Sequence, residues 1–94
     1  MIYEDEYLLL QPCKTDRAYM LTFRKSRYPA SEVVRKLKEK HGCPVLAQSN
    51  MLTILRLGQV VVSVHSKGDI LIREAEDFAR VRDTASQILR TMTC

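Results

Sequence analysis

Segment 59–74 constrains the fold more than any other stretch of this chain, because a turn signal separates two runs of β-branched residues. Val60, Val61, Val62 and Val64 precede it; Ile70 and Ile72 follow it. Ser66-Lys67-Gly68 fits a three-residue hairpin loop, a type I turn closed by glycine in the left-handed region, and this sets His65 opposite Asp69. That register places Val64 beside Ile70 and Val62 beside Ile72 on one face, the expected core. Val61, Ser63, His65, Asp69, Leu71 and Arg73 share the other. The second face mixes polar and apolar groups, so Val61, Ser63, His65, Leu71 and Arg73 form a candidate protein interface. A half-wet sheet surface, common in antiparallel domains, gives the same composition. Open strand edges offer a second route to association.

The remaining elements follow from periodicity. Two strands, 7–10 and 18–23, are joined by a polar loop. Pro29 suits a first helical position and Gly42 the residue after a helix end. Between them Ala30, Val33, Val34 and Leu37 form one apolar stripe. Segment 45–57 is strand-like, with an interruption near Ser49-Asn50, and precedes the strands at 59–65 and 70–74. The turn around Leu57-Gly58-Gln59 permits more than one register, which leaves the faces of 51–57 open. Glu76-Asp77 stand ahead of a last helical stripe, Phe78, Val81, Ala85, Ile88, Leu89 and Met92, where acidic groups suit the helix dipole. The expected class is α+β: an antiparallel sheet of about five strands in the order β-β-α-β-β-β-α. Two helices cover one face, and the other is left to water or a partner. At 94 residues, without repeats or a flexible linker, the chain is expected to form a single domain with one core.

Three apolar residues in a row, as at Leu8-Leu9-Leu10, fall far short of the ~20 that a membrane-spanning helix needs. The N-terminus, with Glu4-Asp5-Glu6, is acidic where a signal peptide is basic and then apolar, so a cytoplasmic location is expected. Cys13, Cys43 and Cys94 make an odd, widely spaced set that suits free thiols in a reducing compartment.

No motif for catalysis stands out. His41-x-Cys43 is the one close pair of typical metal ligands, and a helix-end histidine followed by a buried cysteine explains it. His65 beside Asp69 could form a hydrogen-bonded pair, which an ordinary turn contact also explains; Cys43 and His65 are the candidate reactive groups if there is an activity. Gly42, Gly58 and Gly68 stand singly, unlike a phosphate-binding loop. The acidic residues at 4–6, Glu74, Glu76 and Asp77 suit a terminus and a helix start. No enzymatic activity, cofactor or metal is expected. The net charge is +4, and Arg24, Lys25, Arg27, Arg35, Lys36, Lys38 and Lys40 fall within seventeen positions. Such a cluster can neutralise nucleic-acid phosphates with little sequence reading, as on tRNA, although a solvated helix face accounts for it too. Segment 45–74 has no Phe, Tyr or Trp on which bases could stack.

The order strand, helix, meander, helix, together with 59–92, resembles half of a TATA-box-binding protein. A closer local likeness is to the small dimerising subunit of the KEOPS complex, which makes threonylcarbamoyladenosine in tRNA. Phe23-Arg24-Lys25-Ser26, ending a strand before the helix with Ala30, Val33, Val34 and Leu37, is similar to that family. So is the terminal helix with Asp77, Val81, Arg82, Ser86, Leu89 and Thr91-Met92, although Ser86 stands where the family has Asn. The likeness spans 21–92 and leaves the first twenty residues and the hairpin around Lys67-Gly68 outside it. It implies a non-catalytic accessory subunit, a homodimer or part of a larger complex, that helps position other subunits on tRNA in an archaeal or eukaryotic source.

Overall fold

The computed structural model describes residues 2–13 and 17–93. Within them the chain is α+β, with seven strands and two helices: β1 (Tyr3–Glu4), β2 (Leu8–Pro12), β3 (Ala18–Phe23), α1 (Ala30–His41), β4 (Val45–Gln48), β5 (Leu52–Leu57), β6 (Val60–His65), β7 (Ile70–Arg73) and α2 (Phe78–Thr93). The strands form one sheet in the order β1-β2-β3-β7-β6-β5-β4, and each neighbouring pair is antiparallel.

The β6–β7 hairpin has the register that its turn dictates. Val64 faces Ile70, Val62 faces Ile72, His65 N–H donates to Asp69 O at 2.8 Å, and Gly68, at φ 102°, donates to His65 O at 2.8 Å. Gly58, at φ 64°, opens the two-residue loop between Leu57 and Val60. That turn settles the faces of β5: Thr53, Leu55 and Leu57 join the core, whereas Ile54 and Arg56 point away from it.

The expected count of about five strands is corrected to seven, for two local reasons. Segment 45–57 is a hairpin and not one interrupted strand. Ser49 N–H donates to Leu52 O at 2.8 Å, and Ser49 Oγ accepts from the amides of Met51 and Leu52 at 3.2 and 3.3 Å, so a serine closes the turn without glycine or proline. At the N-terminus, Asp5 Oδ1 accepts from the amides of Tyr7 and Leu8 at 2.7 and 2.9 Å and folds β1 back onto β2. Those amide bonds, Tyr7's foremost, hold the Asp5 carboxyl below its ordinary 3.8. Tyr3 is further fixed by the Arg82 guanidinium, 4.6 Å from its ring centroid. Pro29 is also shifted from its expected place. It is the residue before α1, with ψ 145°, and its carbonyl accepts the first helical amides, Glu32 and Val33. The polar loop expected between the first two long strands falls partly on 14–16, outside the described residues.

Both helices pack on one face of the sheet, α1 over β5 and β6 and α2 over β3 and β7. Two cross-strand rows make the centre of that face: Tyr3, Leu10, Leu21, Ile70, Val64, Thr53 and Gln48, then Pro12, Tyr19, Ile72, Val62, Leu55 and Val45, with the pairs Leu8–Phe23 and Leu57–Val60 flanking them. Val33 and Leu37 of α1 and Val81, Ala85, Ile88 and Met92 of α2 close the core over them. Gly42, at φ 61°, caps α1 by donating to Lys38 O, and Asp77 Oδ1 accepts from Arg80 N–H at the start of α2. No described helix is long and apolar enough to cross a membrane.

Candidate functional site

The face turned away from the helices carries no described element over it. Cross-strand pairing builds it from three rows. Gln11, Met20, Leu71, Ser63, Ile54 and Ala47 run across six strands. Ala18, Arg73, Val61 and Arg56 lie on one side of that row, and Glu4, Leu9 and Thr22, with His65 and Leu52 farther along, on the other. All five residues expected at a protein interface sit on this face, with Val61 opposite Arg73 and Ser63 opposite Leu71. Their burial is uneven in an informative way. Val61 and Ser63 are only 5% and 2% exposed although no described element covers them, while His65, Leu71 and Arg73 are half-buried. Val61 stands between Arg56 and Arg73 and Ser63 between Ile54 and Leu71, short side chains flanked across the strands by long ones. The result is a largely apolar centre with cations at its edge.

Met20, Ile54, Leu9 and Ala18 belong to the same surface, and sequence reasoning missed them. The alternation of β3 alone carried a signal for Met20, since Ala18, Met20 and Thr22 oppose Tyr19, Leu21 and Phe23. The His65–Asp69 contact is main chain to main chain, and the ring Nε2 is buried without a hydrogen-bond partner.

The seven basic residues do not form one patch. Arg24 Nη1 donates to Asp5 O at 2.7 Å and lies 3.6 Å from Glu4, and Lys25 pairs with Glu6. Lys36 and Lys40 reach across to the last turn of α2, donating to Met92 O at 3.3 Å and Thr91 O at 3.2 Å. Arg35 pairs with Glu39 at 3.1 Å and, with Lys38, lies on the opposite flank of α1 from Lys36 and Lys40. Arg27 lies in the exposed connection between β3 and α1.

His41 and Cys43 do not converge on a ligand site. His41 Nε2 donates to Thr91 Oγ1 at 2.7 Å, since that hydroxyl already gives its proton to Gln87 O, and His41 Nδ1 accepts from Gln87 at 3.5 Å. Cys43 is 5% exposed, and burial pushes its thiol above the ordinary 9.0, opposite to the depression that activates a nucleophile. No cluster of three or more metal-ligating side chains occurs among the described residues.

A cavity of about 570 Å³ opens on the helix side, between α1 and β4. Ala30, Val34, Arg35 and Lys38 line one wall, and Gln48 and Thr53 the other.

Comparison with family models, characterised proteins and solved structures finds no match to this chain.

Proposed function

We propose that this chain is a non-catalytic interaction module that dimerises or joins a larger complex through the uncovered face of its sheet. One observation carries this: Met20, Leu71 and Ile54 remain half-exposed on a face that no described element covers, around the already buried Val61 and Ser63. A surface apolar at its centre and charged at its edge gains most when a partner removes it from water. A KEOPS-like place in a tRNA-modification assembly is the more specific form of this reading. Its support is the two segments of local likeness, Phe23-Arg24-Lys25-Ser26 leading into α1, and α2 with Val81, Arg82 and Leu89.

Nucleic-acid binding by the basic segment has less support. Arg24, Lys25, Arg35, Lys36 and Lys40 already engage carboxylates or helix-end carbonyls, and the cluster is divided between two flanks of α1.

The test is light scattering and co-purification from the native host, with nuclease present, for the wild type and Leu71→Glu. Self-association or a stoichiometric partner lost in Leu71→Glu is the expected result. A strict monomer that retains no partner, or a complex indifferent to Leu71→Glu, refutes the proposal.

A further inference from the structure

A second surface, independent of the uncovered face, lies where the sheet ends. β4 is an edge strand, and all four of its residues are exposed. Ser49 N–H bonds to Leu52 O, Gln48 faces Thr53 and Ala47 faces Ile54. Antiparallel alternation therefore turns the amide and carbonyl of Gln48 outward, away from β5.

The two ends of the sheet are guarded differently. β1 is two residues long and is followed by Asp5 and Glu6, the short and charged edge that discourages pairing. Around β4, residues 43–55 contain no charged side chain. Pro44 and the irregularity between Val45 and Ala47 block only the first half of the strand. Val45, Leu46 and Met51 are 37%, 47% and 73% exposed, an apolar rim beside the open main chain.

Because α1 packs over β5 and β6, β4 extends past the helix, and the 570 Å³ cavity occupies the angle between them. Its volume falls in the range of ligand pockets. Its floor is Thr53 and Val64 of the sheet. The rim is positive: Glu39 is taken up by Arg35, and Lys38 has no acidic partner among the described residues.

We propose that β4 and the α1 groove together bind an extended peptide segment of a partner protein. The peptide adds as an eighth strand, sending alternate apolar side chains into the cavity and an acidic one toward Lys38. Main-chain bonds to β4 supply sequence-tolerant affinity, and the cavity and cations supply selection. A basic segment is disfavoured by the same cations.

The experiment pans a phage-displayed library of random dodecapeptides against the immobilised full chain, then measures labelled selected peptides by fluorescence anisotropy. Enriched sequences are expected to alternate apolar residues and to contain Asp or Glu. Gln48→Pro removes an outward donor while sparing the ladder to β5, and it should weaken the selected peptides about tenfold. Arg35→Glu with Lys38→Glu, both on the helix surface, should shift selection from acidic to basic peptides whether or not the proline is tolerated. Leu71→Glu, on the other face, should leave peptide affinity unchanged, which separates this site from the sheet-face interface. Failure to enrich any sequence, equal affinity in the charge-reversed chain, or loss of binding in Leu71→Glu overturns the proposal.

Discussion

Leu55 and Ile54 are neighbours on β5 that point to opposite faces, and truncating each in turn tests the two-sided sheet directly. Leu55 is fully buried between Val62 and Val45 in the row beneath the helices. Leu55→Ala removes its apolar area and leaves a cavity that packed neighbours cannot fill, which costs about 3 to 4 kcal/mol. Ile54 is half-buried on the face without helices, where water fills whatever is removed. Ile54→Ala should cost about 1 kcal/mol, roughly half of its full transfer free energy and no cavity term. A chain of this length has a total stability of roughly 5–14 kcal/mol, so both variants should fold. With a urea slope of about 1 kcal/mol per molar, the midpoint followed by circular dichroism should fall by roughly 3 M for Leu55→Ala and roughly 1 M for Ile54→Ala. Equal losses, or a larger loss at Ile54, would mean that something covers the second face in the isolated chain.

Three further outcomes follow from named groups. In a Cys94→Ser chain, a thiol reagent at pH 8 should label half-buried Cys13 first and Cys43 slower by about 100-fold or more, because the Cys43 thiol must be exposed by opening and is held protonated by burial; equal rates measured by mass spectrometry would contradict its place in the core. The Asp5 carboxyl has a folded pKa depressed below 3.8, so its stabilising effect is present above that value and is lost as pH falls through the folded pKa. Asp5→Asn should flatten the stability profile below about pH 4, and an unchanged acid limb in thermal melts would show that the amide bonds to Asp5 do not act. Arg56 is exposed and has no ion pair among the described residues, so a homodimer formed face to face should tighten between about 0.05 and 0.5 M salt. An acidic partner should instead be released by salt, as light scattering will distinguish.

What could be read in the sequence was set by local physics. Gly68, three residues after His65, fixes the register of β6 against β7, and the stripes through Val33 and Leu37 and through Val81, Ala85 and Ile88 define both helices. β1 is invisible because two residues carry no periodicity; it exists through the Asp5 turn and Tyr3 against Arg82. The β4–β5 turn is muted because its signal is a serine hydroxyl within an uncharged run, not a glycine or proline. The basic cluster is divided for a geometric reason. Its linear density from Arg24 to Lys40 says nothing of helical angle, or of Glu4, Glu6 and the α2 carbonyls that distant segments bring to it.

The same reasoning explains why the two open surfaces select different partners. The sheet face offers area: its centre is apolar, its backbone is paired on both sides, and Arg56 and Arg73 stand at its margin. A partner there must bring a surface already folded, with apolar bulk for Leu71, Met20 and Ile54 and an acceptor for Arg56, which has no ion pair among the described residues, since covering an unpaired cation costs more than covering a methyl group gains. The β4 edge offers open main-chain groups beside a cavity, and a folded surface cannot reach them without an edge of its own. A flexible segment can, because an extended strand satisfies its own amides as it binds. One chain of this size can therefore hold a folded partner on one face and a linear segment on its edge, the two surfaces meeting only at Ala47 of β4.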